Sequence, residues 1–288
     1  MWLEVLRSFL ALALELTVLF LGVSFLISLL QGLIPYAKME RLMGQSHPLV
    51  SALVALGFAF ITPFCSCSTI PVIVNLLNKK VRFGIVMIFL FSSPVLDPTI
   101  ITLMVAVLGV KVAVAYTIIT SGLSVIIGFS LEKFGFENQV KNVIMSGHQQ
   151  TDKRFDIKAA LSETLQLMKT VYPFLLIGAG VGAFIRGAVP TEWIATYMGG
   201  EDWWLVPIAA IIGIPLYIRL STMIPIAQIM IVKGMALGPV MALMISSAGA
   251  SLPELTLLQS IFKKKLVFAF VGSVFTMSTI SGFLFYII

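Results

Sequence analysis

Ile61-Thr62-Pro63-Phe64-Cys65-Ser66-Cys67-Ser68-Thr69-Ile70-Pro71 interrupts a long apolar run with two prolines, two cysteines and a cluster of hydroxyls. Backbone that leaves the helix inside a bilayer is tolerated only where protein or a water-filled cavity satisfies its amides and carbonyls. A related interruption, Pro215-Leu216-Tyr217-Ile218-Arg219-Leu220-Ser221-Thr222-Met223-Ile224-Pro225, stands in the second half of the chain. Matching breaks in two halves point to the binding site of a transporter. The fold class read from them is an all-α polytopic membrane protein with discontinuous helices or re-entrant hairpins.

Composition bounds the same class. Of 288 residues, 59% are hydrophobic and 11% charged, which excludes an ordinary soluble domain. Several apolar segments exceed the roughly 20 residues needed to cross a hydrocarbon core. The first, around positions 5–34, is too long for a signal h-region and has no small-residue cleavage site before a polar chain, so it is expected to remain. The net charge is +6, with Lys and Arg mostly in loops. That pattern suits membrane orientation and anionic headgroups, and nothing in it suits nucleic acid. The two cysteines are too close in sequence for an ordinary structural disulfide. Catalytic triads, Walker loops and dinucleotide fingerprints are absent, so neither an enzyme nor a cofactor is expected. Movement is read as gradient-driven or facilitated.

Along the chain, Leu49–Ile61 reads as a half-helix entering the first break, and a short apolar piece resumes after Pro71. Phe83–Phe91 is too short to span alone and ends at Ser92-Ser93-Pro94-Val95-Leu96-Asp97-Pro98, a second interruption. Thr99–Val110 completes that crossing, and Val112–Leu131 is a plain span. The polar, basic stretch 132–162 is a connector between a first transmembrane repeat, 1–131, and a second, 163–288. Gly32 and Pro35 recur as Gly187 and Pro190, 155 positions on (32 to 187, 35 to 190). Pro71, Gly84, Ser92, Ser93, Thr102 and Lys111 recur as Pro225, Gly238, Ser246, Ser247, Thr256 and Lys265, 154 positions on (71 to 225, 111 to 265). Shared Gly, Ser and Pro biases of membrane proteins explain each match singly, but not a common offset. About eight crossings, four per half, follow from segment lengths. An even number per half makes the repeats parallel; if the segments ending at Lys111 and Lys265 are instead re-entrant hairpins, the halves become inverted. With eight full crossings the Lys263–Lys265 run falls outside the cell, against the positive-inside rule.

Ionisable groups inside a membrane are costly and usually functional. Asp97 and Glu254 fall in corresponding breaks, where each carboxylate either meets substrate or a coupling proton, or serves the exposed amides of a following half-helix. Arg219, inside the second break, pairs an anionic substrate group or neutralises one of those carboxylates. Cys65 and Cys67 offer thiols for a soft metal or trivalent metalloid, and equally serve as small residues that let backbones pack closely. No metal site is expected, because two thiols without a histidine cluster do not close one. Ser66, Ser68, Thr69, Ser92, Ser93, Tyr217, Ser221, Thr222, Ser246 and Ser247 line the polar path in this reading, although hydroxyls also bond back to helix carbonyls.

At these residues the chain resembles the widespread predicted-permease family that includes organoarsenical efflux permeases. The likeness is carried by Thr62-Pro63-Phe64-Cys65-Ser66-Cys67-Ser68-Thr69-Ile70-Pro71, by Phe91-Ser92-Ser93-Pro94, and by Gly213-Ile214-Pro215-Leu216-Tyr217. It implies a multi-pass inner-membrane permease, and its arsenical members imply thiol contact with substrate at Cys65 and Cys67. The second half departs from the family pattern at Ile218-Arg219-Leu220, which leaves room for a charged organic solute such as a cationic amino acid. The expected partners are the lipid bilayer and a small-molecule or ion substrate; self-association is left open. The competing classes are a passive ion channel and a membrane thiol- or metal-handling protein.

Overall fold

The structure, a computed structural model, describes residues 10, 14, 17–18, 47–61, 66–78, 80–141, 202–215, 220–232 and 234–287. These are helical throughout apart from turns and one isolated β-bridge. In chain order the helices are α1 (Pro48–Ile61), α2 (Ser66–Asn78), α3 (Phe83–Ser92), α4 (Pro98–Leu108) and α5 (Val110–Lys133). A 3-10 turn follows at Phe136–Gln139. Then come α6 (Leu205–Gly213), α7 (Leu220–Val232), α8 (Leu237–Gly249), α9 (Leu252–Ile261) and α10 (Lys264–Leu284). The expected first span and the expected span near 168–189 lie outside the described residues.

Among the described residues two helices, α5 and α10, are long and apolar enough to cross a membrane, and α8 with α9, bent by 43°, makes a third if counted as one span. On α5 the buried stripe is Ala113, Tyr116, Thr120, Ser124, Gly128 and Leu131, while Val110, Val114, Ile118 and Ile126 face outward. Small and polar residues inside with branched aliphatics outside is the pattern of a helix in lipid, where close packing rather than hydrophobic burial joins helices. Its hydroxyls turn back on their own helix: Thr117 donates to the Ala113 carbonyl at 2.9 Å and Ser130 to Ile126 at 2.7 Å.

Glycines set the closest approaches. A Cβ on Gly128 would lie 2.8 Å from the Gly84 carbonyl oxygen, and one on Gly282 would lie 2.9 Å from that of Gly238. The first pair joins α5 to α3 and the second joins α10 to α8.

Directions follow from contacts. Arg82, at the start of α3, pairs with Glu132 at the end of α5 at 3.1 Å, and Tyr116 near the start of α5 donates to the Val95 carbonyl at 3.1 Å. α3 and α5 are therefore antiparallel. α10 runs antiparallel to α5 as well. Just past α5, Val140 bridges to Phe262, Lys141 N–H donates to the Ile261 carbonyl at 3.0 Å and Lys263 N–H to Gln139 at 2.8 Å. Midway, Ser124 Oγ meets Met277 Sδ at 3.9 Å. One apolar cluster contains the end of α5 with the start of α10, and the other contains the start of α5 with the end of α10.

Four helix starts in the second half are first-half starts shifted by 154 positions (66 to 220, 83 to 237, 98 to 252, 110 to 264). α2 and α7 also end alike. Val81 N–H reaches the Leu76 carbonyl and Lys80 N–H that of Leu77; Met235 reaches Met230 and Gly234 reaches Ile231. This is the left-handed termination that glycine favours, taken by Gly234 at φ 96° and by Lys80 at φ 56°.

Candidate functional site

The first break is narrower than expected. α1 stops at Ile61 and helix resumes at Ser66, so Ser66, Cys67, Ser68 and Thr69 form the first turn of α2 and Pro71 is its sixth residue. In the second break helix resumes at Leu220, with Ser221 and Thr222 in the first turn and Pro225 again sixth. Proline inside a membrane helix loses one backbone bond, and neighbouring helices re-satisfy it. Thr69 is fully buried. Cys65, Tyr217 and Arg219 lie outside the described residues, as do the side chains of Ser66, Cys67, Ser68, Ser221 and Thr222.

The Ser92–Asp97 break opens as expected. α3 ends at Ser92; the amides of Val95 and Leu96 both donate to the Ser92 carbonyl, at 3.1 and 2.8 Å. Pro94 has no N–H to give the Leu90 carbonyl, which weakens the helix where it ends. Asp97 precedes α4 and its carbonyl accepts from Ile101 N–H at 3.0 Å, with Pro98 at the first helical position. Tyr116, fully buried, holds the Val95 carbonyl two turns into α5. Replacing Tyr116 with phenylalanine leaves that carbonyl without its donor and should lower stability by about 1–2 kcal/mol. An unchanged unfolding midpoint in detergent would remove Tyr116 from this role.

The fourth break corrects the sequence reading. Ser246 and Ser247 are not in a break: α8 continues to Gly249, and their hydroxyls donate to the Leu243 and Met244 carbonyls at 3.1 and 3.0 Å. Ala248 stands where the first half has Pro94, so nothing stops the helix a turn early. Ser251 caps α9, accepting from the Glu254 N–H at 3.4 Å, and buried Glu254 is the third residue of that helix. Ser-x-x-Glu is the capping-box sequence pattern, and the Ser251 half of it is formed here.

Asp97 and Glu254 thus each stand at the start of a half-helix, where the dipole favours negative charge. The helices they begin lie in different apolar clusters. α4 packs in the cluster containing α7, and α9 packs in the cluster containing α2. Each half therefore sends its second broken helix to the other half. Sequence reasoning missed Tyr116 and the Gly128–Gly282 correspondence. The latter was available at the same 154-position offset (128 to 282); nothing marked Tyr116 until its carbonyl partner was located.

The half-helices are short. α2 and α7 each have 13 residues, α4 has 11 and α9 has 10. At 1.5 Å per residue they are about 15–20 Å long. That is about half to two thirds of a hydrocarbon core about 30 Å thick.

The sequence matches the model of the family described as predicted permease (ArsP_1) over residues 1–287. Among curated relatives, the UPF0718 protein MJ0584 of Methanocaldococcus jannaschii is 33% identical over 45% of this chain and 35% of its own length. The UPF0718 protein YraQ of Escherichia coli K12 is 26% identical over 83% of this chain and 68% of its own. A putative two-component membrane permease complex subunit of Streptococcus mutans is 22% identical over 74% and 72%. The chain thus spans about a third of the first relative's length. No solved structure matches.

Proposed function

Because the chain belongs to the predicted-permease family, we propose that it is a secondary permease whose solute site lies between the broken helices of two duplicated, inverted halves. The observation that carries this reading is direction: α5 and α10 correspond at the 154-position offset yet run antiparallel. Shared helix starts, shared left-handed terminations and the two equivalent glycine pairs support the duplication. The reciprocal packing of α4 on α7 and α9 on α2 supports a two-fold relation between the halves.

Each half then contains one broken span and one re-entrant pair. α3–α4 starts beside the end of α5 and finishes at its beginning, which is a crossing. The hairpin in each half is α1–α2 or α6–α7, not the segment ending at Lys111 or Lys265. For α6–α7 both outer ends lie near the end of α10. Tyr286 Oη donates to the Asp202 carbonyl before α6, and Gly238, just after α7, touches Gly282. In this arrangement Lys80, Arg82, Lys133, Lys141 and Lys263–Lys265 share one face, and Lys111 lies at the other. The positive-inside rule makes the basic face cytoplasmic, and the conflict over Lys263–Lys265 disappears. The protein is then a multi-pass protein of the cell's inner membrane.

At the core of the site the amino ends of α2 and α7 carry no acidic residue in their first turns. With Arg219 they suit an anionic or electron-rich substrate group, while Asp97 and Glu254 at α4 and α9 suit a cationic one. A small solute bearing both charges, such as a cationic amino acid, fits this pattern. A trivalent organoarsenical held by Cys65 and Cys67 is the class the thiols favour. Thr69 and the hydroxyls of Ser66, Ser68, Ser92, Ser93, Ser221 and Thr222, with Tyr217, complete the polar lining. The Streptococcus relative is named as a subunit of a two-component complex, so a second membrane component is proposed here too.

The test is a thermal-shift screen of purified protein against amino acids, metal ions and trivalent arsenicals, since a ligand of the folded form raises its apparent stability. The stabilising compound is then followed in proteoliposomes. Saturable uptake with counterflow is expected. Conductance that does not saturate makes the protein a channel and ends the carrier reading.

A further inference from the structure

We propose, building on the permease reading, that the break at Ser92–Asp97 binds a small monovalent cation, sodium, and that the corresponding break in the second half does not. Ser92 and Ser93 are fully buried, and neither hydroxyl has a hydrogen-bond partner in the structure of the described residues. Among the described residues Thr279 and Ser281 also bury a hydroxyl with no partner, but only Ser92 and Ser93 do so as an adjacent pair at a helix break. Thr120, Ser130, Ser246, Ser247 and Ser260 all donate to carbonyls of their own helices. A buried hydroxyl without a partner carries a desolvation penalty, so this adjacent pair calls for a ligand.

The surrounding atoms are of one chemical kind. Pro94 denies the Leu90 carbonyl its helical donor, and the Val95 and Leu96 amides both turn to Ser92, so the negative end of the α3 dipole opens into the loop. Tyr116 takes the Val95 carbonyl and holds the loop in its unwound form. Asp97, half-buried, follows four residues after Ser93. Hydroxyls, main-chain carbonyls and one carboxylate are hard oxygen donors, which select alkali and alkaline-earth ions over soft metals. One carboxylate neutralises one positive charge; a divalent ion would leave an uncompensated charge in a low-dielectric interior. Unwound carbonyls and half-helix carboxyl ends are where discontinuous transporter helices hold coupling sodium ions.

The second half serves as an internal comparison. Position for position, Ala248 replaces Pro94, Ser251 replaces Asp97 and Phe270 replaces Tyr116. There α8 stays wound, and Ser246 and Ser247 satisfy themselves on Leu243 and Met244. The same serine pair is therefore engaged in one half and open in the other, and the second half carries its carboxylate three positions later, at Glu254 in the first turn of α9.

The experiment measures the unfolding midpoint of the purified full chain in choline chloride and in sodium chloride at equal ionic strength, with no substrate present. Sodium a hundredfold above its Kd should raise the midpoint by roughly 5 °C or more. The Ser92→Ala/Ser93→Ala double variant should fold as well as wild type in choline and lose the sodium shift. Ser92→Thr, which keeps the hydroxyl, and Ser246→Ala/Ser247→Ala should retain it. If the double alanine variant does not fold, Asp97→Asn takes its place. Equal midpoints in the two salts, or a sodium shift that survives the variants of the first break, overturn the proposal. Counterflow without a sodium shift leaves the permease reading standing and removes only this site; a sodium shift without counterflow does the reverse.

Discussion

Gly128→Val is expected to destabilise the protein by about 3 kcal/mol, near the upper end of overpacking effects. A Cβ at this position would lie 2.5 Å from Ile88 Cγ1, 2.8 Å from the Gly84 carbonyl oxygen and 3.0 Å from the Ile88 nitrogen. The last two are backbone atoms, so no rotamer change relieves them and α3 must move off α5. Gly282→Val meets the same obstacle on α10, with the Gly238 carbonyl at 2.9 Å and Ala242 Cβ at 3.0 Å. In a detergent melt each variant should fall by roughly 5–10 °C. Gly122→Ala, on α5 with nothing within 4 Å of the added Cβ, is the control and should hold or gain through helix propensity. If Gly128→Val melts with Gly122→Ala, α3 and α5 do not pack this closely.

The second large effect is all-or-none. In a background with Cys65→Ser and Cys67→Ser, single cysteines at the exposed positions Lys111, Lys80 and Lys265 are treated with a membrane-impermeant maleimide on whole cells. Lys111→Cys should react from outside; Lys80→Cys and Lys265→Cys should react only once the membrane is opened. Lys111 and Lys265 correspond at the 154-position offset (111 to 265), so parallel halves put both on the same side. Labelling of both from one side would falsify the inverted arrangement, whatever the substrate proves to be.

Much of the element order was legible from the residues. Apolar run lengths and the Lys80–Arg82 and Lys263–Lys265 corners bracket the helices that form, and the helix α3 ends where Ser92-Ser93-Pro94 says it should. Breaks were read too wide wherever proline was treated as a stop. Pro71 and Pro225 sit inside α2 and α7, each as the sixth residue, where one lost backbone bond is tolerable among packed neighbours. Ser246 and Ser247 look like Ser92 and Ser93 in sequence, yet the helix ends only where a proline follows. Tyr116 was unreadable because its role depends on a carbonyl far along the chain that only folding brings beside it.

By itself, then, the amino-acid order determined that the chain is helical, that it lives in lipid, and that its two halves carry the same markers at offsets of 155 and then 154 positions. It could not determine which way the second half points. A periodicity of residues is a scalar along the chain and has no sign in space, and a count of crossings changes parity when one segment turns back instead of going through. The Arg82–Glu132 pair and the Val140–Phe262 bridge set α5 antiparallel to α3 and to α10, and the inverted arrangement is proposed from those directions. Both are contacts between residues far apart in sequence, and only the packed structure brings them into existence.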